Sequence, residues 1–272
     1  MSVPAISVLM PVYNAEKYVA LAVESILSQS FNDFEFIIID DASTDGSWKI
    51  ISEYQKKDKR IKLFRNDANL GITKNRNKLI NLAQGKYIVW QDADDISVSA
   101  RLKKQYEFME NNPSVGISGG WLKFFTDLNG SIGVRKYHFD DAKLRKIIFK
   151  YSPVAQPAAI VRKEVFAKVG DYNENFTVAE DLEMSFRIGQ YYKFANLNEV
   201  LIRYRQQSKS ITFRKLKELE KNTLKIRFKF RRASEYNFSL SDWIYNLIQL
   251  LTLYIIPARL RVEIFNLFRN SR

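Results

Sequence analysis

Asp92-Ala93-Asp94 places two carboxylates two positions apart, directly after the apolar run Tyr87 to Trp90. In an extended segment alternate side chains point the same way, so both can face one ion. Hard oxygen donors without histidine or cysteine suit Mg²⁺ or Mn²⁺. Such an ion bridges a diphosphate and offsets charge on a leaving group. The competing reading is a polar turn with solvated carboxylates, which placement at a strand end weakens. Asp40-Asp41 closes another apolar run, Phe34 to Ile39. A carboxylate there accepts hydrogen bonds from a base N–H or a ribose hydroxyl. Helix capping is the plainer role, and it suits Asp45 or Ser47 better than Asp40 or Asp41.

Arg76 shares a helical face with Ile72, Leu79 and Ala83. A charge on an apolar stripe needs a partner: a nucleotide, or the carboxylate of Asp41, if the arginine does not simply snorkel. Glu180-Asp181 precedes the helix-like Leu182 to Ile188. A carboxylate near an acceptor hydroxyl can act as general base, and an acid at a helix start is also favoured by the dipole alone.

The elements that would position these groups alternate. Ile6 to Val12, Phe34 to Ile39, Ile61 to Phe64 and Tyr87 to Trp90 read as strands. Helices fall between them: one built on Val19, Ala22, Val23, Ile26 and Leu27 with Asn14 as its cap, then Ser47 to Lys56 and Ile72 to Ala83. This order argues for an α/β chain with a mostly parallel sheet and helices on both faces. Ligands of such sheets bind beyond the carboxyl ends of the strands. Tyr13-Asn14, Asp40-Asp41 and Asp92-Ala93-Asp94 all sit there. Beyond Asn112 the pattern loosens, with strands at Val115 to Ser118 and Ala158 to Val161 and a helix at Asp141 to Lys150.

The 272 residues are 46% hydrophobic and 27% charged, the balance of a folded chain. With no cysteine and one histidine, His138, thiol chemistry and Cys-ligated zinc are excluded and a histidine-based triad has little to rest on. The opening MSVPAISVLM reads as a strand rather than a signal peptide. No run of about 20 apolar residues suggests a membrane span.

Taken together, these residues resemble family 2 of the glycosyltransferases, with the GT-A (Rossmann-like) fold. The resemblance is carried in order by Ser7 to Asn14, Ser25 to Phe31, Ile39 to Ser47, Asn69-Leu70-Gly71, Gly85 to Asp95, Gly170 to Glu174 and Glu180-Asp181, and it covers about residues 4 to 208. It implies that Pro11, Tyr13, Asn14, Glu16, Asp41 and Arg76 hold the nucleoside, commonly uridine. Asp92 and Ala93 would approach the ribose or sugar, and Asp94 would bind the Mn²⁺ or Mg²⁺. Asp181, with Glu180 on the acceptor side, would deprotonate a hydroxyl of a glycan or lipid-linked glycan, with inversion at the anomeric carbon. Gln156-Pro157 stands where the family often has His-Pro, so a role for that histidine does not carry over. The Gln-x-x-Arg-Trp motif of processive members is absent, which points to single additions.

Residues 1–210 are thus expected to form the catalytic domain, with a nucleotide-sugar half at 1–112 and an acceptor half at 113–210. Residues 211–272 form a helical extension that loosely resembles the tails of bacterial cell-surface polysaccharide transferases. It carries thirteen lysines and arginines against five acids from Ser210 onward, within a net charge of +13. A basic segment, Phe213 to Arg232, precedes an apolar one, Trp243 to Ile256. The pair suits an anionic membrane surface, packing on the domain, or a homodimer contact. The expected place of work is the cytoplasm or the inner face of its membrane. Two rivals remain. A sugar nucleotidyltransferase would carry a Gly-rich basic loop where Pro11-Val12-Tyr13-Asn14 stands. A nucleic-acid binder would fit the charge and the 14% aromatics but leaves the acidic strand ends unexplained, so no nucleic-acid partner is expected.

Overall fold

The computed structural model describes residues 3–128, 130–206, 215–257 and 260–261. Four parallel strands open the chain: β1 (Ile6–Val12), β2 (Phe34–Asp40), β3 (Ile61–Arg65) and β4 (Tyr87–Trp90). They alternate with α1 (Val19–Leu27), α2 (Ser47–Lys57) and α3 (Ile72–Leu82). Then come β5 (Ile96–Ser97), α4 (Arg101–Asn111), β6 (Val115–Thr126), β7 (Gly130–Arg135), α5 (Asp141–Ile147), a 3₁₀ turn (Gln156–Ala158), β8 (Ile160–Arg162), α6 (Lys163–Val169), α7 (Glu180–Ile188) and β9 (Lys193–Arg205). Two helices end the described chain, α8 (Leu216–Phe230) and α9 (Leu240–Ile255).

Among the described residues the strands form one sheet in the order β3-β2-β1-β4-β8-β6-β9-β5, with β7 on β6. The β1–β2, β2–β3, β1–β4 and β6–β9 pairs are parallel, while β8 inserts antiparallel between β4 and β6. The sheet is therefore mixed, with its parallel run in β1 to β4 and helices on both faces.

Strand alternation divides the core between two faces. Ile6, Val8, Met10 and Val12 of β1 meet Val23 and Ile26 of α1, Ile51 of α2 and Leu102 of α4. Leu9 and Trp90 face the other way, onto Leu79 of α3, Leu144 of α5, Phe186 of α7 and Ile226 of α8. Both faces of β1, β2 and β4 are covered, so their sequences read as continuous apolar runs.

Several boundaries differ from the sequence reading. β6 runs on through Gly119-Gly120 to Thr126 rather than stopping at Ser118. A Cβ at Gly119 would lie 2.7 Å from Asn196 Oδ1 and one at Gly120 2.6 Å from Leu201 Cγ, so the glycines admit the long partner β9 instead of ending the strand. Asn14 does not cap a helix. α1 begins behind Tyr18 with no side-chain cap, while Asn14 takes φ 50° and its Oδ1 accepts the Thr44 amide at 2.8 Å. Asp45 does serve the start of α2, accepting the Ser47 amide at 2.9 Å.

The turn before β4 is pinned under the sheet. Gly85 N donates to Ser7 Oγ at 2.8 Å, and Ser7 Oγ donates to Glu35 Oε1 at 2.6 Å. A Cβ at Gly85 would stand 2.5 Å from the Ser7 backbone nitrogen, which has no room to move. Gly85→Ala is expected to destabilise the chain by about 1–3 kcal/mol, read as a lower urea midpoint with an unchanged slope.

Candidate active site

The chain leaves each central strand through a polar turn on the same edge. From β1 it passes Pro11 and exposed Tyr13 to Asn14, whose backbone N–H donates to Ser43 Oγ at 3.0 Å. Glu16 lies on the outer rim, and its Oε2 accepts the Gly46 amide at 2.6 Å. The first two strand-end loops are thereby laced to each other.

Asp40 and Asp41 end β2 with opposite duties. Asp40 is fully buried, pairs with Arg65 at 3.1 Å and accepts the Ser43 amide at 3.2 Å. Asp41 Oδ1 accepts from Asn66 Nδ2 and the Leu70 amide, each at 2.8 Å, and Oδ2 accepts the Gly71 amide at 3.0 Å. Burial alone would raise its pKa. The Leu70 amide, Asn75, Asn66 and the Gly71 amide outweigh burial and hold it below the usual carboxylate range.

After β4 comes Gln91, wholly buried, with Nε2 donating to the carbonyls of Asp92 and Asp95 at 2.9 Å each. Beneath it lies Arg101 of α4, also fully buried, which donates to the Trp90 carbonyl at 2.9 Å and to Ser97 Oγ at 2.9 Å. Burial pushes this guanidinium down to about 9, against the pull of Asp95 and Asp92. On the far side Arg205, at the end of β9, donates its amide to Asp95 Oδ1 at 2.8 Å and its Nε to the Asp94 carbonyl at 2.9 Å. It also pairs with Asp127 and lies over Tyr18 and Phe125. Pairing of Ile96 with Arg203 is what carries Arg205 to a loop 110 residues earlier.

Asp92, Ala93 and Asp94 are all half-buried in this loop. Burial raises the Asp92 carboxyl, Arg76 and Arg101 pull it down, and Asp181 pushes it up. Burial also lifts Asp95 well above the usual range, with the charges of Asp92 and Asp94 adding to it. The start of α7 stands beside the end of β4, since one arginine pairs with Glu180 and lies over the Trp90 ring.

Arg76 makes that connection. The sequence reading offered a nucleotide or Asp41 as its partner; in the structure its guanidinium pairs with Glu180, 104 residues away, while Asp41 accepts from Asn66, Leu70 and Gly71. Both side chains are buried, and Arg76 also lies 5.4 Å from the Trp90 ring and 5.6 Å from the Tyr172 ring. Burial favours the neutral arginine, but Glu180, Tyr172, Asp92 and Asp181 keep it charged more firmly than usual. Burial raises Glu180 in turn, against Arg76. Gln156 Nε2 donates to Tyr172 Oη at 2.8 Å, so the residue standing where the resemblance expects histidine holds this wall. Asp181 is half-buried, with Oδ1 accepting the Leu182 amide at 2.8 Å.

Three non-glycine residues among those described have positive φ: Asn14, Ala42 and Ala179. Each sits on a loop of this edge. Such backbone costs of order 1–3 kcal/mol per residue and concentrates at functional sites.

The pattern described as Glycosyl transferase family 2 matches residues 7–170, more than half of the chain. The chain belongs to this glycosyltransferase family. An uncharacterized glycosyltransferase of Methanocaldococcus jannaschii is 40% identical over 212 residues, 75% of this chain and 72% of that protein. The fold resembles S. aureus TarS 1-349 in complex with UDP-GlcNAc, with TM-score 0.64 at 20% identity over 91% of this chain and 80% of that one. It also resembles the mannosyltransferase PcManGT from Pyrobaculum calidifontis in complex with GDP-Man and Mn²⁺, with TM-score 0.64 at 16% identity over 94% and 71%. The family 2 chain therefore has the GT-A fold. The resemblance named Asp92, Asp94 and Asp181 by position. Gln91 lay inside the matched stretch Gly85 to Asp95 without a role of its own, while Arg101 and Arg205 escaped the resemblance because nothing in their own sequence neighbourhoods marks them.

Two measurements probe this geometry. Arg76→Met leaves Glu180 buried without its cation and is expected to cost about 3–5 kcal/mol of stability, with part regained in the Arg76→Met/Glu180→Gln double variant. Asp41 has a lowered folded pKa, so its contribution is present above its ordinary value of 3.8 and is lost as pH falls through the lower folded value. Urea titrations along an acid series should show that loss in the wild-type chain and not in Asp41→Asn.

Proposed function

We propose that the chain transfers a sugar from a nucleoside diphosphate donor to a hydroxyl of a glycan or lipid-linked glycan, with inversion at the anomeric carbon. The observation that carries this reading is the meeting of three groups on one sheet edge: the amide-bound Asp41, the Asp92-Ala93-Asp94 loop and Asp181 at the start of α7. The complexes of TarS with UDP-GlcNAc and of the Pyrobaculum mannosyltransferase with GDP-Man support a nucleotide-sugar donor.

Pro11, Tyr13, Asn14, Glu16 and Asp41 line the nucleoside side, with Asp41 offered to a base N–H. Asp41 already takes three N–H groups, so it is an ionised acceptor at neutral pH. Arg76 holds the floor between donor and acceptor, fixed by Glu180 and by the Trp90 and Tyr172 rings.

A divalent cation fits the donor set. Among the described residues no three His, Cys, Asp or Glu side chains gather round one point. Two carboxylates on one turn instead leave coordination positions for phosphate oxygens. Asp95 Oδ2 is buried without a hydrogen-bond partner among the described residues, a crowding of negative charge that a cation relieves. Asp94 would hold Mn²⁺ or Mg²⁺, with Asp92 directed to the ribose or sugar. When bound, the ion offsets the charge that develops on the departing diphosphate.

Asp181 accepts the proton of the acceptor hydroxyl. That oxygen attacks the anomeric carbon as the bond from this carbon to the diphosphate oxygen breaks, and the nucleoside diphosphate leaves with the electron pair. The attack comes from the α7 side and departure is toward the β4 loop, which gives inversion.

Asp181→Asn is expected to leave donor binding intact and to lower transfer by about 10²–10⁴-fold. Asp94→Ala is expected to lose the metal-dependent part of donor binding. Transfer by Asp181→Asn at the wild-type rate would remove it as the base.

A further inference from the structure

Helix α9 is turned inside out. Its inward positions are Asp242, Asn246, Gln249 and Leu253, spaced i, i+4, i+7 and i+11. Asp242 is 2% exposed and Asn246 is 0%, whereas Tyr254 is 68% and Ile255 77%. The polar stripe faces the protein and the apolar stripe faces out, the reverse of a surface helix on a globular core.

The inversion is fastened from beneath. Arg227 of α8 donates to Asn246 Oδ1 at 3.1 Å and Gln249 Oε1 at 2.9 Å. Lys150 pairs with Asp242 at 3.3 Å, and Asn246 Nδ2 donates to the Phe149 carbonyl at 3.0 Å. Ser239 and Asp242 close a capping box at the helix start. Arg227 is buried and donates as well to the Lys150 carbonyl at 2.6 Å, so these bonds select which face of α9 turns inward.

That outward face carries Trp243, Ile244, Leu247, Ile248, Leu251 and Ile255, all exposed. No acidic side chain lies on it: Asp242, the one acid of α9, points inward. Cations border it. Lys217 stands 5.6 Å from the Tyr254 ring, and Phe228 meets Trp243 at 5.9 Å, so α8 lies antiparallel beside α9. Exposed Lys217 and Lys221 share the face of α8 that carries Phe228, at i, i+4 and i+11. An aromatic stands at either end of the stripe, Trp243 and Tyr254, as at a water–hydrocarbon boundary.

The helix has 16 residues, about 24 Å at 1.5 Å per residue, short of the ~30 Å hydrocarbon core. Among the described residues no helix is long and apolar enough to cross a membrane. An apolar face of this kind, bordered by lysines, matches a bilayer surface bearing negative headgroups, with the helix axis in the plane.

We propose that α9 is a docking helix that lies in the surface of an anionic bilayer. The lysines of α8 meet the headgroups while the outward face of α9 enters the acyl boundary. The same α8 grips the segment ahead of α7: Asn222 Nδ2 donates to the Val178 carbonyl at 3.1 Å, and Thr177 pairs with Glu218. The docking surface is thus tied through α8 to the segment ahead of α7. The docking inference stands on α8 and α9 alone, independently of the glycosyl-transfer reading.

The test is flotation of the full chain on a density gradient with vesicles of phosphatidylcholine, with or without phosphatidylglycerol. The chain should float with the anionic vesicles, less with the neutral ones, and less again as salt rises. Ile244→Glu/Ile248→Glu/Leu251→Glu alters only exposed positions, so its circular dichroism and thermal midpoint should match the wild type. Its partition onto anionic vesicles should fall at least about tenfold. Lys217→Ala/Lys221→Ala should weaken partition to anionic vesicles and leave the neutral ones unaffected. A wild-type chain that does not float overturns the proposal, and light scattering that shows a stable dimer dissolved by the triple variant then names a second copy as the occupant. Because flotation needs neither donor nor metal, its failure leaves the catalytic reading untouched.

Discussion

Arg76, Arg101 and Arg205 are the counter-charges that let a group of carboxylates share one end of the sheet. Asp92, Asp94, Asp95, Glu180 and Asp181 all meet there, and burial, with the like charges around them, raises the pKa of Asp92, Asp95 and Glu180. Each arginine is buried and each arrives on a different element: Arg76 on α3, Arg101 on α4 and Arg205 on β9. A buried guanidinium is itself costly unless paired. The acids and the arginines therefore hold each other in place, and the geometry of the site follows. Charge remains in excess on the acidic side at the β4 loop, which is where a cation would be taken up.

The same edge holds the chain's unusual backbone. Asn14, Ala42 and Ala179 take left-handed conformations without glycine's freedom, and all three belong to loops that face the site. The lacing of Asn14 to Thr44 and of Glu16 to Gly46 shows how the cost is met locally, by backbone amides drawn onto side-chain oxygens.

How much of this was legible in the sequence depended on range. β1, β2 and β4 were readable because strands covered on both faces show as unbroken apolar runs, and the acidic turns after them marked the site edge. Arg76 was visible as a charge on an apolar stripe, but its partner was not: Glu180 is brought to it by the segment ahead of α7, where Thr73 and Asn77 of α3 donate to the Phe176 and Tyr172 carbonyls, which no local pattern encodes. Arg205 reaches Asp95 only through the β5–β9 register. Gly119-Gly120 read as a strand end, whereas glycine was needed there for the close approach of β9. The apolar run in α9 was plain, and so were Asn246 and Gln249 within it. Which face turned inward was settled by Arg227, on another helix.

Membership of the family fixes the class of reaction, and the chemistry particular to this chain rests on whether a cation joins the donor to the β4 loop. The most direct measurement is calorimetric titration of the wild-type chain with UDP-, GDP- and dTDP-sugars, with Mn²⁺ and again after chelation. The account predicts that one donor binds with Mn²⁺ and loses most of its affinity on chelation. Donor binding that is indifferent to the metal, or no binding of any donor, would contradict it.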